Sequence, residues 1–373
     1  MIRAHKIRLH PTTEQETYFA RAAGTARFVF NWGLEQWKTQ YDAGNKPSAL
    51  SLKKQFNAIK QEVFPWVYLV SKSVVEGAFA DLGAAFNQFF DALKDGRQVG
   101  YPKFKSKKRC KASFYLANDR FSVGNHWIDI SKLGRVNMAE RLRLEGKSLS
   151  ARITKRAKWW FVSITVELPD HRPLNTNPPT GLDVGVLRLG TLSDGRQFEN
   201  QKPLRNLLKQ VRRLHRKLSR QQKGGRNYEK TRLKLAVLYY RISCIRDDIL
   251  HKMTTQIACP AGLVGVEDLN VKGMMQNRHL ALALSDAALG RLLDLLETKV
   301  LAAGGVLSKV DRFFPSSKLC CRCGWKHETL NLADRTFQCG HPECGLTLDR
   351  DHNAAINLLN ESVRLYRTNN PSR

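Results

Sequence analysis

The feature that most constrains the fold of this chain is a cluster of cysteines near its C-terminal end. Five of the eight cysteines lie between Cys320 and Cys344, and four of them form the pairs Cys320-x2-Cys323 and Cys339-x4-Cys344. Two such pairs can surround one zinc ion tetrahedrally, and four thiolates leave no open position for water. The spacing therefore predicts one structural Zn²⁺ held by Cys320, Cys323, Cys339 and Cys344.

Alternatives to this four-cysteine site remain open from the sequence. His341 lies inside the second pair and could replace one thiolate, because imidazole is also a zinc ligand. Cys321 is expected to be a bystander. Chance clustering of reduced cysteines is the other interpretation, whereas a disulfide framework is disfavoured in a large chain without a secretion signal.

The charge balance of the chain indicates a polyanionic partner. Its 373 residues include 62 Lys and Arg against 33 Asp and Glu, a formal net charge of +29. A folded protein with that excess repels itself unless a polyanion neutralises it, and nucleic acid is the first candidate. The competing polyanion is a membrane surface, but the sequence has no apolar run of about 18 residues and no signal-peptide pattern. We therefore expect a soluble, cytoplasmic protein with no membrane partner.

Apolar periodicity predicts a strand followed by helices in the first part of the chain. A strand is expected over 1–10 and three or four helices over 13–93, and a half-buried antiparallel strand is expected over 160–168. Between them, the segment from Lys103 to Lys111 carries six positive charges. A solvated loop and a loop that contacts phosphates through Lys103 and Lys105 are both consistent with it.

Proline-rich segments at 169–173 and 178–179 predict a linker and a domain boundary near 170–180. Beyond it the pattern indicates alternating strands and helices. The segment 181–195 predicts a strand and a turn at Ser193-Asp194-Gly195, with a second strand after it. Further along, we expect a buried strand over 261–266, a helix over 284–303, a strand over 305–310 and a last helix over 349–364.

A basic helical hairpin is predicted over 202–234. Thirteen cations there accompany a single acid, Glu229, while leucines keep an apolar stripe and Gly224-Gly225 separates the two helices. A solvated hairpin would intersperse acids to form i,i+4 pairs. The nearly single-signed charge favours phosphate contact over a solvated face, and the candidate residues are Arg205, Lys209, Arg212, Arg213 and Arg216.

Three carboxylates occupy similar positions in this second part. Asp183 lies inside an apolar strand, Glu267 ends the apolar run over 261–266, and Asp351 lies in the first turn of the last helix. Each has a structural alternative, namely a salt-bridged core acid, the start of a loop or a helix cap. Together, however, they place carboxylates at strand ends and at a helix start. A fold can bring hard oxygen ligands for Mg²⁺ together in this way.

Such acids predict phosphodiester hydrolysis. Two Mg²⁺ ions held by carboxylates activate a water on one side of the phosphorus and stabilise the leaving oxygen on the other. The sequence has no Gly-rich phosphate loop of the G-x-x-x-x-G-K type and no G-x-S-x-G elbow, so NTPase and serine-hydrolase interpretations lack support.

The motifs around these residues closely resemble the transposon-associated TnpB family. They are GLDVGV…LSDG around Asp183, VGVEDLNVKGMMQNR around Glu267, and FFPSSKLCCRCG…CGLTLDRDHNAAINLL. The likeness extends to 24–37, to 85–107 and to the basic hairpin, so it covers most of the chain. Members of this family are RNA-guided DNA endonucleases related to type V CRISPR effectors.

The resemblance implies an α+β multidomain fold. An RNase H-like (RuvC) nuclease domain would occupy 180–314 and 348–366, interrupted by a zinc ribbon over 315–347. A wedge-like β-barrel would occupy 1–10 and 94–172, with a helical recognition lobe inserted over 11–93 and a C-terminal tail over 367–373.

The resemblance also implies the site and the partners. Asp183, Glu267 and Asp351 would be catalytic and would hold two Mg²⁺ ions; Asp351 is preferred to Asp349 because the family's ligand is the second Asp of D-R-D-x-N. Lys72 matches a position near the DNA-facing helix. The implied activity is Mg²⁺-dependent cleavage of double-stranded DNA beside a short transposon-adjacent motif, by a monomer carrying a non-coding guide RNA from the transposon end.

Two other functions remain as alternatives, a guide-dependent DNA binder that has lost cleavage and a transposase that performs strand transfer.

The chain also departs from the family pattern in places. Leu187 replaces a frequent Lys, Gly190 replaces a residue with a side chain, Ala288-Leu289 replace a common Gly-Trp, and the second cysteine pair is lengthened.

Overall fold

The chain divides into two units in the computed structural model, which describes residues 1–169, 174–331 and 333–370. The first unit spans Met1–Asp170 and the second spans His171–Arg373. The predicted linker over 169–173 lies outside the described residues except for Pro169.

The N-terminal unit combines a helical region with one antiparallel sheet. The predicted strand and the three helices of the first part are confirmed. Its elements are β1 (Ile2–His10), α1 (Thr13–Asp42), α2 (Ala49–Val63), a short 3-10 helix (Pro65–Leu69), α3 (Lys72–Lys94), β2 (Ser113–Ala117), β3 (Phe121–Val123), β4 (Trp127–Ile130), β5 (Gly134–Met138), β6 (Lys147–Arg156) and β7 (Trp159–Glu167).

The sheet of this unit has the strand order β2-β6-β7-β1-β5-β4-β3. The alternation predicted over 160–168 is confirmed in β7, where Val162, Ile164 and Val166 are fully buried. One face of α1 covers these side chains, and the rings of Phe19 and Trp160 lie 5.1 Å apart. The apolar side chains that recur along α1 and along the strands therefore face the same core.

The C-terminal unit is built on a mixed five-stranded sheet with the order β10-β9-β8-β11-β12. The strands β8, β11 and β12 run parallel, and β9 and β10 are antiparallel additions at one side. The elements are β8 (Thr180–Asp183), β9 (Arg188–Leu192), β10 (Gln197–Glu199), α4 (Pro203–Ser219), α5 (Arg226–Ala258), β11 (Leu263–Glu267), α6 (Val271–Met274), α7 (Ala281–Ala287), α8 (Leu289–Ala302), β12 (Val306–Val310), β13 (Thr336–Gln338), β14 (Thr347–Asp349) and α9 (Arg350–Asn369).

Helix α9 packs directly onto the parallel strands because two glycines remove the side chains between them. A Cβ at Gly181 would lie 2.0 Å from the carbonyl oxygen of Ala355, and one at Gly265 would lie 2.2 Å from the Ser362 hydroxyl. Neither distance is sterically allowed, so only glycine permits this approach. The helix start is thereby fixed over the ends of β8 and β11.

Three sequence predictions differ from the structure of this unit. The first strand predicted within 181–195 is two antiparallel strands, because residues 184–187 form a hairpin loop between β8 and β9. The single helix predicted over 284–303 is broken at Ala288, whose φ of +52° is left-handed and interrupts the helical backbone. The last helix begins at Arg350 and continues to Asn369.

Glycine would adopt the left-handed backbone found at Ala288 without steric cost, which agrees with the glycine expected there from the resemblance. Across the described part of the chain, every helix is too short or too polar to cross a membrane.

Candidate active site

Two of the predicted acids end neighbouring parallel strands. Asp183 is the last residue of β8 and Glu267 is the last residue of β11. The register pairs Val266 with Leu182, so the two carboxylates follow at adjacent positions. Both therefore lie at the same edge of the sheet, where the parallel strands end.

The third acid reaches this edge from α9. Asp351 lies in the first turn of the helix, and its Oδ1 accepts a hydrogen bond from Arg350 at 3.1 Å. The close approach at Gly181 and Gly265 sets the position of that turn. Asp183, Glu267 and Asp351 line one cleft of about 380 Å³.

The electrostatics of the cleft disfavour the ionised form of Asp183. Burial, followed by the nearby carboxylates of Asp351 and Glu267, raises the pKa of Asp183 to about 8. Arg350 lowers the pKa of Asp183, but by less than these effects raise it. Burial, and then the neighbouring Asp268, also raise the pKa of Glu267.

Asp349 has a different role from Asp351. Its Oδ1 accepts the backbone N–H groups of Asp351 and His352 at 3.0 and 3.1 Å, which caps α9. Its Oδ2 accepts a hydrogen bond from Arg188 on β9 at 2.9 Å. Although burial alone would raise it, these hydrogen bonds hold the pKa of Asp349 below its ordinary value. Asp349 therefore positions the helix start, and Asp351 is the acid directed at the cleft.

The oxygen donors of the cleft suit Mg²⁺, because carboxylates are its preferred protein ligands and a cation would relieve the repulsion at Asp183. Sequence reasoning missed several residues around them. Arg188, Arg335 and Arg350 line the cleft with Ser316 and Ser317. Arginines next to acidic motifs were the available signal, but only the folded sheet shows which of them reach the cleft.

The four predicted cysteines converge on one point. Their Sγ atoms all lie within 4.8 Å of one another, and Cys320 to Cys344 and Cys323 to Cys339 are separated by 3.7 and 3.6 Å. Zinc–thiolate bonds of about 2.3 Å place the sulfurs of a tetrahedron about 3.8 Å apart. The cluster therefore fits a four-cysteine zinc ribbon, and in the described residues no other His, Cys, Asp or Glu group gathers as tightly.

The other two candidates in this segment do not join the cluster. Cys321 donates its backbone N–H to the buried Asn353 on α9 at 3.0 Å, and His341 contacts Cys339 Sγ through its backbone N–H. Asn353 and Asn357 in turn donate to the carbonyl oxygen of Leu319 at 2.6 and 2.7 Å. These two asparagines, which sequence reasoning also missed, link the cysteine segment to the helix that carries Asp351.

The candidate nucleic-acid contacts fall into two groups. Lys105 is already used inside the N-terminal unit, since its Nζ lies 3.6 Å from the Phe30 ring centroid and 3.8 Å from Asp81. Lys72, at the start of α3, lies 3.7 Å from Asp119, and Lys103 is exposed. Arg205, Lys209, Arg212, Arg213 and Arg216 are exposed on α4, and within the described ranges no acid lies within 4 Å of their side-chain cations.

Comparison with protein families identifies three matching regions. Residues 163–278 match the OrfB-type family described as "Probable transposase", residues 1–46 match its "Helix-turn-helix domain", and residues 290–358 match the "Cas12f1-like, TNB domain". The last region contains all four cysteines. Residues 1–46 consist here of β1 and the single long helix α1.

Curated relatives match almost the whole chain. A Streptomyces pristinaespiralis protein named "Putative RNA-guided DNA endonuclease" is 33% identical over 96% of this chain and 88% of its own length. A protein of the same description from Mycobacterium tuberculosis is 30% identical over 96% of this chain and 86% of its own length, and InsQ of Escherichia coli is 28% identical over 96% and 92%.

A solved structure shares the fold. The protein in the cryo-EM structure of the Cas12f1-sgRNA-target DNA complex matches 93% of this chain and 83% of its own chain, with a TM-score of 0.58 and 15% sequence identity. At that identity the likeness concerns the α+β fold.

Replacement of single cysteines should separate ligands from bystanders. We expect wild-type protein to contain about one zinc per chain, and Cys323→Ser and Cys339→Ser to lose it and to unfold at lower temperature, because a thiolate ligand is removed. Metal content by plasma emission and the thermal midpoint check this. Cys321→Ser is the matched control and should retain zinc; a retained ion in Cys339→Ser would contradict the assignment.

Proposed function

Because the chain belongs to the transposon-associated TnpB family, we propose that it is an RNA-guided endonuclease that cleaves double-stranded DNA with Mg²⁺ held by Asp183, Glu267 and Asp351. The observation that carries the proposal is the convergence of these acids in one cleft. The relatives described as RNA-guided DNA endonucleases cover most of this chain, which supports the same activity here.

The topology of the C-terminal unit supports an RNase H-like nuclease domain. Three parallel strands continue into two antiparallel ones, with acids where β8 and β11 end and a third acid on α9. In our proposal this domain comprises 180–314 and 348–366, with the zinc ribbon over 315–347. In the N-terminal unit, the sheet strands would belong to a wedge-like barrel and α1–α3 to a recognition lobe.

The side chains of the cleft have distinct roles in the proposed reaction. Magnesium ions, when bound, supply the positive charge that activates a water and stabilises the leaving oxygen of a phosphodiester. Asp183, Glu267 and Asp351 would hold the ions, and Asp349 and Arg188 keep the start of α9 in place. Arg335 and Arg350, which line the cleft, offer positive charge to the phosphate backbone.

The partners follow from the charge distribution. Base pairing of a guide RNA, derived from the transposon end, would supply sequence specificity, and the protein would read only a short motif beside the target. Lys209, Arg212, Arg213 and Arg216, further along α4, form an exposed surface suited to an RNA backbone. The apolar stripe of the helix packs against α5 through Val211, Leu235 and Leu238. We propose that one chain acts in the complex.

Two alternatives are less well supported. A binder that has lost cleavage has no need for three repelling acids, and all three are present in one cleft. The family description "Probable transposase" keeps strand transfer as a second candidate, since carboxylate metal sites also perform it. Strand transfer would yield joined DNA products, whereas hydrolysis yields ends that are only cut.

Substitution of the acids should abolish cleavage without abolishing binding. We expect Asp183→Ala, Glu267→Ala and Asp351→Ala to slow cleavage by roughly 10³-fold, because the metal charge that stabilises the transition state is lost. The assay uses the complex purified with its co-expressed RNA, the matching plasmid and Mg²⁺. Asp268→Asn, next to Glu267, is the control and should cut normally; unchanged cutting by Asp183→Ala would refute the assignment.

Neutralising the α4 surface should weaken RNA binding. We expect the combined change of Arg212, Arg213 and Arg216 to Gln to lower RNA affinity and to reduce the slope of log K against log salt by about 0.7–0.9 per lost phosphate contact. Filter binding over a salt series measures both. The control variant replaces Arg135, Arg143 and Arg364 with Gln and so removes the same amount of charge. Each of these three arginines is paired with an acid. An equal loss in that control would show that only net charge matters.

A further inference from the structure

A second cavity adjoins the acid cleft and is not used by the proposed chemistry. It measures about 340 Å³, within the range of about 300–1,000 Å³ typical of ligand sites. It lies in the C-terminal unit, lined by the hairpin loop, by the start of α4 and by α7. Val186 and Leu187 line both this cavity and the acid cleft, so the two share a wall.

The free charge in this cavity is positive. Lys202 and Arg205 line it, and in the ranges that the structure describes neither side-chain cation has an acid within 4 Å. Asp286 also lines it but is only 3% exposed, and its oxygens accept the backbone N–H groups of Leu204 and Arg205, each at 2.9 Å. The carboxylate is thus used to cap α4, and the two cations remain available to an anion.

The cavity is also lined by accessible apolar side chains. Leu187 is 49% exposed and Leu282 is 42% exposed, and Leu208 and Ala283 extend the same surface. A cavity lined by both cations and exposed apolar side chains suits a group that is both flat and anionic. A nucleotide has this chemistry, because its base can lie on apolar side chains while its phosphate contacts the cations.

The backbone around the cations is held in one conformation. Asn200 donates its side-chain amide to the Val186 carbonyl oxygen at 2.8 Å and accepts the Lys202 backbone N–H at 3.1 Å. Lys202 is left-handed, with φ +46°, immediately before Pro203, where helical backbone is disfavoured. Strained residues of this kind persist where the surrounding structure fixes them, and they cluster at functional sites.

We propose that this cavity binds a nucleotide of the cleaved DNA strand, next to the phosphate that occupies the acid cleft. This inference rests on the proposed function. The shared wall favours the cleaved strand over the guide RNA, because a strand in the acid cleft reaches this cavity directly past Val186 and Leu187. Arg205 then contacts a phosphate that flanks the cut rather than the RNA backbone.

Cleavage of chemically modified DNA tests the contact. The probes are matching duplexes that carry one neutral methylphosphonate linkage at successive positions beside the mapped cut, incubated with the RNA-loaded complex. We expect one flanking linkage to slow the wild type by about ten-fold, since a charge-assisted contact is lost. Arg205→Ala should slow cleavage of unmodified DNA by a similar factor and show no further slowing at that linkage.

Two further variants exclude misfolding and a general effect of charge. Arg205→Lys keeps the charge and should recover most of the rate. Arg212→Ala, two helical turns further along the same face of α4, should lower RNA affinity and leave the methylphosphonate pattern of the wild type. Arg205→Ala should bind RNA like the wild type.

The outcomes separate this inference from the function on which it rests. If the wild-type complex leaves unmodified DNA intact, the proposed function fails and the inference fails with it. If the wild type cuts but Arg205→Ala cuts equally fast, slows further at every linkage or loses RNA affinity as Arg212→Ala does, only the nucleotide site is refuted.

Discussion

The unfavourable environment of Asp183, created first by burial and then by the neighbouring carboxylates, is the constraint on which the C-terminal unit depends. Burial and the charges of Asp351 and Glu267 raise the pKa of Asp183 to about 8, and Arg350 offsets only part of the effect. Such a site is unfavourable without a metal cation, so the rest of the unit must hold the acids in place. In our proposal, this local loss of stability accompanies a set of metal ligands that is already assembled before the ion binds.

The constraint is met by packing on both sides of α9. Gly181 and Gly265 let the helix backbone contact the sheet, which carries Asp351 to the end of β8. At the other side, Asn353 and Asn357 bond the carbonyl oxygen of Leu319, one residue before the first zinc-ribbon cysteine. The cysteine segment thereby buttresses the helix that carries Asp351. Loss of zinc should therefore affect the acid cleft through these two asparagines.

The sequence was informative where a local pattern has one physical explanation. Alternating residues predicted β7, two cysteine pairs predicted the metal cluster, and the glycine pair at 224–225 predicted the hairpin break. It failed where tertiary contacts decide. The loop at 184–187 divides a continuous apolar run, and Ala288 breaks a helix without any helix-breaking residue. Likewise, the contacts of Lys105 with Asp81 and Phe30 could not be predicted from the local charge pattern, because both partners lie far from it in sequence.

The most direct test of the account is the thermal midpoint of wild type and Asp183→Asn as a function of pH, with and without Mg²⁺, in buffer without chelator so that zinc stays bound. Because the folded pKa of Asp183 is raised, its ionisation destabilises the metal-free protein increasingly from about pH 4 to about pH 8. Without Mg²⁺, the wild type should therefore fall progressively below Asp183→Asn over this range. Added Mg²⁺ should raise the wild-type midpoint at pH 8 and have little effect on the variant. Parallel pH curves and equal responses to Mg²⁺ would contradict the claim that these acids form a metal site strained by their own repulsion.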